Sequence, residues 1–183
     1  MKNGFRAFDS DMHVYDAANL YEKYMNPKWG ERIPRGQRDG KHGRVEFKLG
    51  GGTTLRAITD VIDHGQKQVA DRYDFAVARD YDAVSQVEAM DREGLDVAVL
   101  FRTSPLHCDE SLEPEYANDL CKAWNDWIAD FCKENALRLK ASALITLHDV
   151  DLAVDEFLAI DGLSENSRKK ILWDNCARLY DIC

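Results

Sequence analysis

The chain has 183 residues, of which 45% are hydrophobic and 31% are charged, so it can build a packed core and disorder is not expected. Its formal net charge of -9 and its pI near 5.0 disfavour nucleic acid and anionic membrane as partners. No apolar run approaches the roughly 18 residues of a membrane span, and the first five residues lack a signal-peptide pattern, so a cytoplasmic address is expected.

A short strand is predicted at residues 5–9, directly before two residues that suit a metal ion. Asp11 and His13 are two positions apart, and alternate residues of a strand point the same way, so both side chains can approach one ion. A carboxylate and an imidazole suit zinc or manganese. Taken alone, an Asp-x-His pair is a weak motif that a polar strand end can also carry.

The next part of the chain gives a weaker pattern. Residues 17–25 predict a short helix that Asn26 and Pro27 terminate. From Pro27 to about Asp82 the pattern weakens, and "PKWGERIPRGQRDGKHG" at its start is basic, rich in glycine and proline, and predicts loop. Within the same region, "RVEFKLGGGTTLRAI" predicts two short strands around a glycine turn. We therefore predict that residues 26–82 are an insertion outside the core.

A regular alternation of helices and strands follows Asp82. An aspartate cap and a glycine stop bound a helix between Asp82 and Gly94, and a long helix with one apolar face begins at Pro114. Continuous apolar runs at 95–101 and 139–147 are typical of strands that are covered on both faces. Asp149 caps a further helix. This order predicts a parallel α/β fold, with the three strands adjacent and parallel in chain order.

Four stretches of this pattern resemble a known family. They read "DSDMHV", "EAMDREGLDVAVLF", "ANDLCKAWNDWIADFC" with "RLKASALITLHDVDLAVDE", and "SRKKILWDNCARLY". On these residues the chain resembles the amidohydrolase-related superfamily, in the branch of the aminocarboxymuconate-semialdehyde and resorcylate-type decarboxylases. The stretches cover well over half of the chain and occur in the family's order.

The resemblance implies a (β/α)₈ TIM barrel with a divalent metal, zinc or manganese, at the carboxyl ends of the strands. The first strand of the family delivers an acid-x-His pair to that metal, and the matching positions are Asp11 and His13. The implied activity is hydrolysis or non-oxidative decarboxylation of a small, often aromatic, carboxylic acid, in which the metal polarises a carbonyl or activates water.

The chain is short for such a barrel, which typically needs about 250 residues. Only three core strands are predicted, and after the helix that follows the third one the sequence passes directly into the family's closing helix at 161–183. We therefore expect an α/β fold of the metal-dependent hydrolase type: one incomplete (β/α)₈ TIM barrel over residues 1–183 that lacks its middle and late strands, with the 26–82 loop and hairpin insertion.

Two further residues are candidates for substrate binding. Arg102 and His107 follow the second predicted strand, at the end of the barrel where the family binds its substrate, and Arg102 is suited to a carboxylate. An ordinary surface arginine and a solvated loop histidine are equally consistent with the sequence. The other histidines are interpreted as surface residues or neighbours of a helix cap, and they are His42, His64 and His148. The sequence identifies no catalytic residue.

Two functions stay open at this point. The first is a metal-dependent hydrolase or carboxy-lyase with Asp11 and His13 as metal ligands. The second is a catalytically inactive, truncated or internally deleted paralogue, because a catalytic zinc normally takes three ligands from the protein. An incomplete barrel also leaves an open sheet edge and exposed apolar surface, so a homo-oligomer is expected.

Overall fold

The computed structural model describes residues 3–38, 45–48, 54–55, 72–103, 112–146 and 149–179. In chain order its helices and strands are β1 (Phe8–Val14), α1 (Leu20–Tyr24), β2 (Arg35–Arg38), β3 (Val45–Lys48), β4 (Thr54–Leu55), α2 (Asp74–Ala78), α3 (Ala83–Glu93), β5 (Val97–Arg102), α4 (Pro114–Cys132), β6 (Leu139–Ala141), α5 (Val150–Leu158), α6 (Glu165–Lys169) and α7 (Asn175–Leu179). Two 3₁₀ helices at Pro27–Arg32 and Lys133–Asn135 and a π-helical segment at Lys170–Asp174 complete the list.

A three-stranded parallel sheet has the order β1-β5-β6. This confirms the predicted order and direction of the three core strands. His13 pairs with Phe101 across the first strand pair, and Leu100 pairs with Ala141 across the second. Each strand is followed by a helical connection, which returns the chain to the same sheet in the same direction.

Helices cover one face of this sheet. Along β5 the fully buried side chains are Ala98 and Leu100, whereas Val97, Val99 and Phe101 are only partly buried. The buried pair belongs to a core that α1, α3 and α4 complete, and that core includes Val14, Leu20, Tyr21, Met90, Leu120, Trp124, Trp127, Ile128 and Phe131. The other face of the sheet is more open, and Phe8 is 62% exposed on it.

The prediction of the first strand at residues 5–9 is wrong, because the strand runs from Phe8 to Val14. The apolar residues Phe5, Ala7 and Phe8 indicated an earlier strand, but the strand lies at the edge of the sheet and has only one covered face. Its hydrogen bonds to β5 make it a strand, and its polar residues are tolerated on the more open face.

The third predicted strand, 139–147, is too long, because the ladder stops at Ala141. Residues 142–146 have no regular secondary structure. The side chain of Asn125 replaces the missing ladder bonds: its Nδ2 donates to the carbonyl of Leu144, and its Oδ1 accepts from the amide of Leu144, both at 2.8 Å. Residue 147 lies outside the described residues.

The described parts of the Pro27 to Asp82 region lie outside the parallel sheet, as predicted. The predicted hairpin is confirmed, since β3 and β4 pair in antiparallel fashion. The loop prediction is wrong in three places: the 3₁₀ helix at Pro27–Arg32, strand β2 on the other side of β3, and helix α2. The β2 sequence, "RGQR", has no apolar alternation that could signal a strand.

The helix starts follow the predicted caps. Asp82 and Asp149 each accept a hydrogen bond from the amide three residues later, and Gly94 ends α3 in the left-handed conformation with a φ of 77°. Ser164 caps α6 in the same way. Within the described ranges, the chain forms no helix with both the length and the apolar character to cross a bilayer.

Candidate functional site

The predicted metal ligands lie close together near the carboxyl end of β1. The distance between His13 Nε2 and Asp11 Oδ1 is 3.9 Å, and their side chains are 55% and 77% exposed, respectively. In a tetrahedral zinc site with bonds of about 2.0–2.2 Å, two ligand atoms lie about 3.4 Å apart, which is about 0.5 Å closer than these two atoms. The two atoms can therefore contact the same ion without a large movement of either side chain.

The main chain of β5 orients the imidazole of His13. Its Nδ1 lies 2.9 Å from the carbonyl oxygen of Arg102. A carbonyl oxygen can only accept, so Nδ1 carries the proton in this hydrogen bond. In the neutral ring the lone pair is then on Nε2, the atom that faces Asp11. A histidine that binds a metal through one nitrogen commonly donates its other N–H to such a carbonyl.

A β-bulge lies directly before this pair. Between Asp9 and Met12 strand β1 advances three residues while β5 advances two, from Ala98 to Leu100. Both Asp9 and Met12 thus pair with residues of β5 that face the helices. Bulges often change the direction of a side chain next to a site. Because of the bulge, Asp9 does not share the more open face with His13. His13 pairs with Phe101 on that face, and the centroids of their two rings are 6.3 Å apart.

Arg102, the candidate ligand of a substrate carboxylate, lies on the opposite face of the sheet. It follows the alternation of Ala98 and Leu100, and its side chain is 5% exposed. Its Nε donates to Asp16 Oδ2 at 3.0 Å, and the indole Nε1 of Trp124 donates to the other carboxylate oxygen at 3.1 Å. Binding of a substrate by Arg102 stays a prediction, and the structure gives this guanidinium an internal partner.

His107, the second candidate for substrate binding, lies outside the described residues. So does His148, the sequence neighbour of the helix cap Asp149. In the part of the chain that the structure describes, no group of three or more His, Cys, Asp or Glu side chains could hold a metal ion. The donor types of Asp11 and His13 fit zinc or manganese, but two ligands are fewer than a catalytic ion takes from a protein. The described residues therefore do not complete a catalytic metal site.

A cleft of about 210 Å³ opens beside His13, between β1 and the helices α2 and α3. Its wall contains three tyrosines, Tyr15, Tyr73 and Tyr81, and the ring centroids of Tyr15 and Tyr81 are 4.5 Å apart. The hydroxyl of Tyr73 donates to Glu93 Oε1 at 2.5 Å, and burial together with this hydrogen bond raises the pKa of Tyr73. The phenol is therefore neutral at physiological pH, and the cleft offers a small ligand a mixed aromatic and aliphatic surface beside His13.

Sequence reasoning missed the polar residues that fix the ends of β1 and β5. Asp16 is buried and binds Arg102, and the hydroxyl of Thr103 donates to the carbonyl of Val14 at 2.6 Å. One signal was available: Asp16 follows His13 by three residues, an odd number, so a continued strand would place it on the other face. The sequence does not show which residue of a later strand forms the ion pair with Asp16.

The fold has a counterpart among solved structures. It is similar to the crystal structure of an amidohydrolase from Mycobacterium avium subsp. paratuberculosis, with a TM-score of 0.58 and 19% sequence identity. The match covers 84% of this chain and 46% of that chain, so this chain spans about half of that protein's length. No protein-family model matches the chain, and no curated protein matches it. The similarity shows that the chain shares part of the α/β fold of that protein.

Proposed function

We propose that this chain carries the first-strand part of an amidohydrolase-type metal site, with Asp11 and His13 as ligands of zinc or manganese. One observation supports this most directly: His13 Nδ1 bonds to the carbonyl of Arg102, and Nε2 faces Asp11 at 3.9 Å. A histidine that binds a metal commonly donates its other ring N–H to a carbonyl, which fixes the orientation of the ring. When bound, the metal would act as a Lewis acid or activate water for hydrolysis or decarboxylation of a small carboxylic acid.

The aromatic cleft beside His13 is the space that we assign to the organic part of the substrate. Tyrosine rings can pack against a planar substrate, and its acidic group would then lie toward the imidazole and the ion. We also propose that the chain is related to the branch of aminocarboxymuconate-semialdehyde and resorcylate-type decarboxylases. The parallel sheet would then form part of a barrel.

The second candidate function is a non-catalytic protein that keeps the fold and binds metal only weakly. It is favoured by the number of ligands, since the described residues supply two where a catalytic zinc normally takes three. We expect this second behaviour from the isolated polypeptide: weak metal binding through Asp11 and His13, and no turnover.

Metal titration tests whether Asp11 and His13 are the metal ligands. The metal-free chain would be titrated with Zn²⁺ and with Mn²⁺ by calorimetry, beside an Asp11→Asn, His13→Gln double variant. Asp126→Asn, which changes an exposed carboxylate on α4, is the matched control. We expect weak binding that the double variant loses and the control keeps. Equal binding by all three proteins would refute the assignment of the ligands.

A parallel assay addresses catalysis. Each protein would be incubated with a panel of small aromatic carboxylic acids, and hydrolysis or loss of carbon dioxide would be followed. Tight stoichiometric metal together with turnover that only the double variant loses would establish an active enzyme. Metal binding without turnover would establish the non-catalytic alternative.

A further inference from the structure

Helix α5 has two apolar faces, but only one of them is packed. Ala153 is buried and Leu152 and Phe157 are partly buried on the inner face. On the outer face, three residues spaced by four form one stripe, and their exposed fractions are 66% for Val150, 39% for Val154 and 43% for Leu158. The stripe extends the apolar side of α5 beyond the packed core, so it has the character of an interface.

The last described helical stretch, residues 164–179, carries a second apolar surface. Ile171, Leu172 and Trp173 lie in its π-helical segment and are 52%, 52% and 58% exposed, respectively. A run of exposed large apolar residues that includes tryptophan is uncommon on the surface of a monomer and typical of a protein contact.

The charges beside these two surfaces are of opposite sign. Residues 149–163 contain five acidic residues and no lysine or arginine. Residues 164–179 contain four basic residues against two acidic ones, and three of the basic residues directly precede the apolar run: Arg168, Lys169 and Lys170. Apolar contact and charge attraction would thus act together if the second surface packed on the first.

The connection between the two surfaces does not bring them together within one chain. Gly162 turns the chain with a φ of 81°, the side chain of Arg168 donates to the carbonyl of Ile160 at 3.0 Å, and Ser164 caps the next helix. With this joint in place, both apolar surfaces stay exposed to solvent. Another copy of the same chain carries both complementary surfaces and can cover them.

We propose that two copies of this chain form a two-fold dimer in which residues 168–173 of each copy pack on the outer stripe of α5 of the other. Two-fold symmetry makes the contact twice and closes the assembly, so each copy has both surfaces covered. The inference is independent of the metal site, because neither Asp11 nor His13 belongs to the two surfaces.

Charge reversal tests this pairing without disturbing the core. One chain carries Lys169→Glu and Lys170→Glu, and the other carries Asp151→Lys and Asp155→Lys; all four positions are exposed. We expect dimers of the wild-type chain in sedimentation-equilibrium experiments, and at least about tenfold weaker association for each variant alone, because like charges then face each other. An equimolar mixture restores the dimer, because both contacts of the mixed pair are again between opposite charges.

Two further variants check the apolar part. Trp173→Ser weakens the dimer, whereas Leu137→Ser, which removes an apolar side chain that is 84% exposed outside both surfaces, leaves it unchanged. A wild-type chain that stays monomeric, a series of species that grows with concentration, or variants whose mixture fails to associate would each overturn the proposal.

Discussion

The carboxylate of Asp16 and the guanidinium of Arg102 form a buried ion pair that joins the end of β1 to the end of β5. The two atoms in contact, Asp16 Oδ2 and Arg102 Nε, are 3.0 Å apart, and the side chains are 0% and 5% exposed, respectively. Trp124 of α4 donates to the second carboxylate oxygen at 3.1 Å. The pair therefore connects both strands to the helix that covers them, on the face opposite His13.

We predict that Asp16→Ala lowers the free energy of unfolding by about 3–5 kcal/mol, because it removes the carboxylate that compensates a buried charge. Replacement of both partners, Asp16→Ala with Arg102→Met, should cost less than the single change. The free energy would be measured by urea unfolding. Glu88→Ala is the control: its ion pair with Arg92 is exposed, and such pairs contribute less than about 1 kcal/mol. Equal effects of Asp16→Ala and Glu88→Ala would contradict the structural role.

The second prediction concerns the proton on His13. Because Nδ1 donates to the carbonyl of Arg102, neutral His13 should be the Nδ1–H tautomer, with a pyridine-type nitrogen at Nε2. Two-bond proton–nitrogen correlation spectra distinguish the two ring nitrogens, and the His13→Gln variant identifies the signals. Addition of zinc should shift the Nε2 signal. A neutral ring that carries its proton on Nε2 would show that the hydrogen bond does not persist in solution.

The third prediction is a dependence of stability on pH at the start of α3. Burial alone would raise the pKa of Asp82, but hydrogen bonds from Arg79 and from the amide of Ser85 outweigh it, and the pKa lies below its ordinary value of 3.8. A lowered carboxyl pKa stabilises the folded chain above the ordinary pKa, and this contribution is lost as the pH falls through the folded-state value.

Two variants of Asp82 separate the cap from the charge. Asp82→Ala should cost about 1 kcal/mol at neutral pH, because the cap bond to Ser85 is lost. Asp82→Asn keeps a capping oxygen and should lose only the attraction of Arg79. The difference between wild type and Asp82→Asn should decrease as the pH falls below 3.8 and vanish below the lowered folded-state pKa, as urea unfolding at several pH values would measure. A constant difference across this range would contradict the linkage.

Local signals made the helices predictable. Asp82 caps the start of α3 with a hydrogen bond, and Gly94 ends this helix in a left-handed conformation. Pro114 suits the first turn of α4. Each of these signals lies next to the helix end that it marks. The parallel order of the strands also followed from the helices between them. The bounds of β1 did not, because an edge strand with one covered face is defined by its ladder to β5, which no local pattern reveals.

The site was predictable only within one strand. The spacing of Asp11 and His13 indicated a shared direction, and the two side chains do lie together. Which face Arg102 occupies was hidden, since "VAVLF" is apolar on both faces and gives no sign of the side that the helices cover. The bulge before Met12 was hidden as well, because an extra residue in a ladder is a property of the strand pair.

The last prediction tests how residues 142–146 keep their place after the sheet ladder ends. Asn125 of α4 binds both the amide and the carbonyl of Leu144 at 2.8 Å, as a neighbouring strand would. Asn125→Ala removes both bonds and should cost about 2–3 kcal/mol, because partly buried main-chain groups lose their partners. Asn125→Asp keeps the acceptor and loses the donor, so it should leave the bond from the Leu144 amide intact. Hydrogen exchange of that amide should therefore accelerate in Asn125→Ala and stay slow in Asn125→Asp. If both variants exchange at the wild-type rate, another group must hold this segment.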